Sequence, residues 1–280
     1  MNKNLNTAKV AKNDEFYTQL EDVEKELKHY KDDLKNKIIY CNCDSEKSNF
    51  VKYFKTNKEE LGYKELIYTS NDFRDNLDLL KKCDIVITNP PFSQFREYVS
   101  LLEEHNKKYL IIGSMNATTY KEIFKLIKGS KIWKGLNYVK SFIQPDGNIK
   151  KFGNINWWTN LEHSKRNKKE ITLTKSYYKN KEDYPKYDNY NAININKIKD
   201  IPNDYYGFMG VPITFMDNFN SNQFEIIGMA EDNGRGFSGG IWDNKNTHCV
   251  INGQNKFKRI FIRRKENTLI NFLEDMEITL

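Results

Sequence analysis

DIVITNPPFSQF, residues 84–95, joins an apolar run to a helical pattern through Asn89-Pro90-Pro91-Phe92. A sheet ladder needs backbone N–H groups, and Pro90 and Pro91 have none, so the strand is expected to stop at Asn89. Both rings fix φ, and Pro91 holds Pro90 extended, so the carbonyl oxygens of this turn are aimed. Rigid acceptors therefore follow the carboxyl end of a strand. In open α/β sheets that edge is where ligands bind.

The segments around it alternate in period. Residues 37–42 (KIIYCN), 65–69 (ELIYT), 84–88 and 109–114 (YLIIGS) read as short buried strands. Helices are predicted over 16–30, where Leu20, Val23, Leu27 and Tyr30 share a face, and over 48–61, 72–82 and 93–105. Strands separated by helices of this length pair in parallel with right-handed crossovers, so the expected fold class is α/β with a Rossmann-like doubly wound sheet.

After Asn116 the pattern changes. Residues 118–128 read as a helix, while 154–161 (NINWWTNL) and 170–174 (EITLT) predict an antiparallel pair joined by the basic loop EHSKRNKK. If the first of these strands runs parallel to the sheet, the loop with Lys165, Arg166, Lys168 and Lys169 lies on the Asn89 edge. Beyond Tyr177, the runs YPKYDNY, MGVPITF, FEIIGM and FKRIFIRR predict a β-rich C-terminal module. The expected division is 1–178 and 179–280. Arg259, Phe261 and Arg263 alternate with Ile260 and Ile262, a strand with one basic face suited to phosphate contact or to a solvated edge. DNGRGFSGG, residues 232–240, could mimic a glycine-rich cofactor loop, but 241–254 is no helix, so it reads as a loop touching DNA or solvent.

Composition narrows the classes. A chain of 280 residues can bury a sizeable core. Mean hydropathy is −0.79, no run is long enough to span a bilayer, and MNKNLNTAKVAKNDEF lacks the apolar centre of a signal peptide. A cytoplasmic protein is expected. Cysteines 41, 43, 83 and 249 form neither a paired framework nor C-x-x-C knuckles, so reduced thiols and no metal are expected. Net charge is +7, and residues 101–200, with 20 basic and 10 acidic side chains, carry the excess. A polyanion partner and a solvated lysine-rich surface both fit.

An amine conjugated to a ring is a poor nucleophile because its lone pair is delocalised. If the Asn89 side-chain oxygen and the Pro90 carbonyl each accept one of its N–H groups, the nitrogen is drawn towards tetrahedral geometry and its lone pair is aimed at an electrophile. Phe92 would stack on the ring. A base handled this way has to leave the duplex or start single-stranded.

The motif has company. NDEFYT at 13–18, YCNCDSEKSNFVKYF at 40–54, NPPFSQFREY at 89–98, FGNINWWTNL at 152–161 and MGVPITF at 209–215 together resemble the EcoRI-like adenine-specific DNA methyltransferases. NPPF alone is shared with protein-glutamine and RNA guanine methyltransferases; the five blocks in this order are far more specific. The resemblance implies S-adenosylmethionine as cofactor, double-stranded DNA as partner and a restriction endonuclease as functional companion. It implies Asn89, Pro90, Pro91 and Phe92 at the target base, and Phe16, Tyr17 and Thr18 near the methionine end of the cofactor. Asn42, Cys43 and Asp44 would lie beneath it, and Asp72 and Phe73 at its adenine. The module after 178 would then be the target-recognition region. Asn in place of Ser at the head of the motif tilts the target from cytosine to adenine. Methylation of RNA or protein glutamine, and a catalytically silent nucleic-acid binder, stay open as alternatives. One departure stands out: with only three residues between Tyr68 and Asp72, the usual acidic residue for the cofactor ribose has no separate counterpart.

Overall fold

The computed structural model describes residues 16–164, 166, 170–232, 235–237 and 248–265. The chain forms two compact units that part between Ser164 and Lys165, whereas the sequence places the division after residue 178. The first unit runs β1 (Tyr17–Thr18), α1 (Leu20–Leu27), α2 (Lys31–Leu34), β2 (Ile38–Asn42), α3 (Asn49–Thr56), α4 (Lys58–Leu61) and β3 (Glu65–Thr69). It continues with α5 (Leu77–Lys82), β4 (Ile85–Thr88), α6 (Phe95–Glu104), β5 (Lys108–Ser114) and α7 (Lys121–Lys128). The strands β6 (Trp133–Tyr138), β7 (Ser141–Ile143), β8 (Ile149–Lys151) and β9 (Ile155–Thr159) complete it.

Six strands make its main sheet in the order β3-β2-β4-β5-β9-β6. β2 pairs in parallel with β3 on one side and β4 on the other, and β5 continues in parallel from β4. The strand order therefore reverses between β2 and β4, which opens a crevice at their carboxyl ends. The apolar runs that predict these strands are buried on both faces, as the side chains of Ile39, Val86, Ile87 and Ile111 show. α3 opens at Ser48, whose Oγ accepts from the Val51 N–H at 3.2 Å, and it buries Phe50, Val51 and Phe54. Gly62, left-handed at φ 60°, ends α4.

Three expectations need correction. The helix predicted over 16–30 begins only at Leu20, because Tyr17 and Thr18 pair instead with Ile143 and Phe142 of β7; Leu20 is exposed, while Val23, Leu27 and Tyr30 face the core. The helix predicted over 72–82 is confined to α5, since Asp72 closes a local turn by accepting from the Arg74 N–H at 3.0 Å. β9 does not pair with 170–174, which forms no strand; it lies antiparallel between β5 and β6. Its run Ile155-Asn156-Trp157-Trp158 is buried on both faces, so it fits the interior of the sheet. Ile155 then stands beside Ser114 and Thr159 beside Leu110, so β9 hands the chain on at the sheet edge away from Asn89.

A buried carboxylate fastens α1 to β6. Glu26 accepts from the backbone N–H of Leu136 at 2.7 Å and of Asn137 at 2.9 Å, and also from Asn137 Nδ2 and the Tyr30 hydroxyl. A Cβ on Gly135 would collide with that carboxylate, so glycine is required there. Glu26→Ala leaves two partly buried N–H groups without acceptors, at about 1 kcal/mol each. The urea midpoint is expected to fall accordingly, with little change in the slope; a midpoint equal to that of the parent would refute the clamp.

The second unit contains a five-stranded sheet, β10 (Ile193–Asn194), β11 (Met209–Val211), β16 (Ile260–Arg264), β12 (Phe224–Asp232) and β13 (Arg235–Phe237) in spatial order, and a hairpin of β14 (Cys249–Ile251) and β15 (Gln254–Lys256). Tyr187, Tyr190, Ile227 and Phe261 form the centre of one core here. The molecule is thus a mixed α/β protein with several sheets. The stretch weighed as a glycine-rich cofactor loop contributes β13 to an antiparallel pair with β12, and no helix follows in its described part. Among the described residues, no helix is long and apolar enough to cross a membrane.

Candidate active site

The crevice between β2 and β4 holds a cavity of about 360 Å³. Phe16, Tyr17 and Thr18 reach it from β1, Cys43 and Asp44 from the end of β2, Asp72 and Phe73 from the turn after β3, and Asn89 to Phe92 from the end of β4. Four segments scattered through the first hundred residues thus converge on one place. Of the side chains the resemblance brings to this site, Asn42 alone stays outside the cavity lining. It is buried beneath, and its carbonyl accepts from the Thr88 hydroxyl.

Asn89 is held in one orientation. Its Nδ2 donates to the Phe16 carbonyl at 2.6 Å, which fixes the amide and leaves Oδ1 as the free end. That oxygen is buried and has no hydrogen-bond partner among the described residues. A buried acceptor left unmatched costs free energy unless a ligand completes it. Thr18 Oγ1 and Gln94 Oε1, on two other lining residues, are in the same condition. Pro91 sits at φ −54° and ψ 124°, and its carbonyl accepts from the Gln94 N–H, so the turn is rigid where the prolines predict rigidity. Phe92 stacks on Phe16 with centroids 5.9 Å apart and planes 20° from parallel, and Phe142 and Phe152 meet it edge-on.

Asp44 is the electrostatic centre. It is almost wholly buried, no cation pairs with it among the described residues, and burial pushes its carboxyl up to about 7 against the pull of hydrogen bonds from Thr88 and Ser48. Thr88 Oγ1 lies 2.7 Å from Asp44 Oδ2 and also contacts the Asn42 carbonyl. A hydroxyl has one proton to give. If it goes to the carbonyl, a protonated Asp44 completes the second bond, in keeping with the raised pKa. Asp44 does not cap α3, which opens at Ser48. Cys43 adopts φ 66°, and burial, with Asp44 and Asp72 nearby, pushes its thiol up to about 12, so it stays neutral.

Asp72 meets a partner that the sequence did not suggest. Arg74 grips both of its oxygens, Nε to Oδ1 at 2.7 Å and Nη2 to Oδ2 at 2.5 Å, and this fork holds the Asp72 carboxyl below its usual range. Phe73 is buried against Tyr98, so it serves the core as well as the cavity. Where a second acidic residue is missing after β3, Ser70 and Asn71 line the cavity. Asn49 was also missed: its Nδ2 donates to the Thr18 carbonyl at 2.8 Å and ties the β1 segment to the start of α3. Polar residues directly after a Ser cap, as in Ser48-Asn49, were the available signal.

The expected basic sites fare differently. Lys165, Lys168 and Lys169 lie outside the described residues, and Arg166 is half-buried. The strand with the basic face is central in its sheet, between β11 and β12, and is no edge. Arg259 is buried, with its Nε donating to Asn194 Oδ1 and its Nη1 to the carbonyls of Phe257 and Lys258. Arg263 pairs with Glu225 at 2.8 Å. All four cysteines are free.

The rigid Asn-Pro-Pro-Phe turn, with a carboxamide oxygen unmatched among the described residues, is set in a switch-point crevice over a buried carboxylate. The family described as "Adenine-specific methyltransferase EcoRI" matches residues 4–75 and 68–265, and the chain belongs to it, an adenine-specific DNA methyltransferase. Among its relatives, "Type II methyltransferase M.EcoRI" of Escherichia coli is 42% identical over 94% of this chain and 97% of its own length. "Type II methyltransferase M.MpnI" of Mycoplasma pneumoniae is 39% identical over 80% of this chain and 84% of its own. "Type II methyltransferase M.MgeORF184P" of Mycoplasma genitalium is 36% identical over 80% and 85%.

Proposed function

We propose that the chain transfers a methyl group from S-adenosylmethionine to the exocyclic amine of an adenine flipped out of double-stranded DNA, as the modification enzyme of a restriction-modification pair. The orientation of Asn89 carries this reading: its nitrogen is spent on the Phe16 carbonyl, so its unmatched oxygen is the end presented to a substrate N–H.

The site suits the cofactor in two respects. Its volume falls in the range of small-molecule pockets, and Asp44 offers a buried carboxylate with no cation paired to it among the described residues. S-adenosylmethionine supplies a methyl group activated by a sulfonium. Everything else falls to the chain. Asp44 answers the positive charge of the bound molecule, and the polar turn at Ser70 and Asn71 is available to its ribose. Asp72, anchored by three bonds from Arg74, keeps one acceptor site, on Oδ2, for the adenine end. Asn89 Oδ1 and the Pro90 carbonyl accept the two N–H groups of the target amine, which localises the lone pair on nitrogen. Phe92 stacks on the base. No titrating side chain is needed to activate the nucleophile; positioning and fixed dipoles suffice, and the proton that the methylated nitrogen sheds passes to solvent.

The unit beginning at Lys165 is assigned to recognition of the target sequence, and Lys165, Arg166, Lys168, Lys169 and Arg263 to phosphate contact within it. Arg259 serves that unit from its interior. Incubation with methyl-labelled S-adenosylmethionine and duplex DNA, followed by separation of nucleosides, tests the reading. Label in N6-methyl-2′-deoxyadenosine is expected; label in a cytosine derivative, or in protein or RNA offered in competition, overturns it.

A further inference from the structure

The hairpin of β7 and β8 takes no part in the assignments above, yet it is built into the active site. β7 pairs with β1 on one side and β8 on the other, in a three-stranded sheet of its own. Thr18, Phe142 and Lys150 stand opposite one another across these strands, so their side chains share a face. Phe142 on that face is fully buried, 5.7 Å from Phe92 and 6.1 Å from Phe16 between ring centroids. Lys150 continues the same face outward. Its Nζ lies 5.0 Å from the Phe16 ring and 5.4 Å from the Phe152 ring, and it is exposed, with no carboxylate partner among the described residues.

We infer that Lys150 grips the DNA backbone phosphate next to the flipped nucleotide, with Lys140 on an adjoining phosphate; this rests on the reading of the chain as a base-flipping DNA methyltransferase. A base stacked on Phe92 trails its sugar and phosphate towards the open side of the aromatic cluster. Lys150 is the cation that stands there. Lys140, opposite Phe152 on the same face, is exposed at the open end of the same hairpin, and Asp146, its one acidic residue, is at the tip and engaged with Asn148. The hairpin is stiff enough to aim a charge. Gln144 and Gly147 close the turn with backbone bonds of 2.8 and 2.9 Å, Gly147 takes the left-handed φ of 85° that the turn requires, and the Phe152 N–H donates to the Lys140 carbonyl at the base. An ammonium held over two rings has also lost part of its side-chain freedom before DNA arrives.

Lys150→Met keeps the stem on the rings and removes the charge, and Lys150→Arg restores a cation. Duplex affinity is to be measured against salt concentration for the full chain, together with calorimetry for S-adenosylmethionine. In Lys150→Met the dependence of log K on log salt is expected to be shallower by about 0.9, a loss of ~8-fold at 0.1 M salt, with cofactor affinity and melting unchanged. Lys150→Arg is expected to recover the parent slope. On a duplex with a neutral methylphosphonate at either linkage of the methylated adenine, the parent loses affinity at one of them, and Lys150→Met loses nothing further there. A parent that methylates duplex DNA while Lys150→Met keeps its slope overturns this inference alone; a parent that binds no duplex overturns both readings.

Discussion

Asn89→Ala is expected to lower the single-turnover rate of methyl transfer by at least ~10²–10³-fold, the range seen when one preorganised hydrogen-bonding group is removed from a catalytic site. The loss should appear in the chemical step. Alanine has no oxygen to accept the substrate N–H, so the amine keeps its lone pair in conjugation with the ring. The variant also loses the bond from Nδ2 to the Phe16 carbonyl, which costs about 1 kcal/mol of stability and leaves the fold intact. Cofactor affinity is expected to stay near that of the parent, because Asp44 and the turn at Ser70 are untouched. Phe92→Ala should lose comparable activity through base positioning, with a larger loss of stability, since Phe92 packs among Phe16, Phe142 and Phe152. Rapid-quench assays, melting curves and cofactor titration separate these effects. Near-normal turnover in Asn89→Ala would falsify the role of its oxygen.

The second large effect concerns pH. With its carboxyl raised to about 7, Asp44 is protonated in the ligand-free protein over most of the acidic range. A cationic cofactor requires the ionised form, so affinity for S-adenosylmethionine is expected to rise about tenfold per pH unit between about 5 and 7 and then level off. Below the plateau each binding event should release a proton, visible as a dependence of the calorimetric heat on buffer ionisation enthalpy. Stability of the ligand-free protein runs the opposite way. The folded-state value lies above the ordinary 3.8, so the contribution is complete below about 4 and is lost as pH rises through about 7. Asp44→Asn should flatten both profiles and weaken binding roughly ten- to a hundredfold, the worth of a charge-assisted hydrogen bond. If the variant retains the parent pH profile, the positive charge of the cofactor is answered elsewhere.

Much of this site was legible before any coordinates. A doubled proline after a buried apolar run stops a ladder whatever the surrounding fold, so the end of β4 and the rigidity of Asn89 to Phe92 were local consequences of residue type. The parallel strands β2, β3, β4 and β5 were legible for a similar reason. Strands buried on both faces are written as continuous apolar runs, and these runs were separated by helical periods.

Other features depended on which segments meet. Residues 170–174 have strand composition, yet β9 chose β5 and β6, because two tryptophans side by side need cover on both faces of a sheet and a single hairpin partner offers neither. Arg259 and Arg263 alternate as an exposed basic face does. Periodicity reports which side of a strand a residue is on but not what lies opposite, and the opposite side held Asn194 and Glu225. The fork between Arg74 and Asp72 and the raised pKa of Asp44 were out of reach for the same reason, since a carboxylate is tuned by its burial and its neighbours in space. Lys150 was one lysine among many in a lysine-rich chain. The sequence by itself determined where the backbone stops and turns, because those limits act between adjacent residues; only the tertiary structure decided which charges stand over the aromatic cluster and which are buried, because that depends on which segments meet, as Lys150 meets Phe16 through the pairing of β1 with β7.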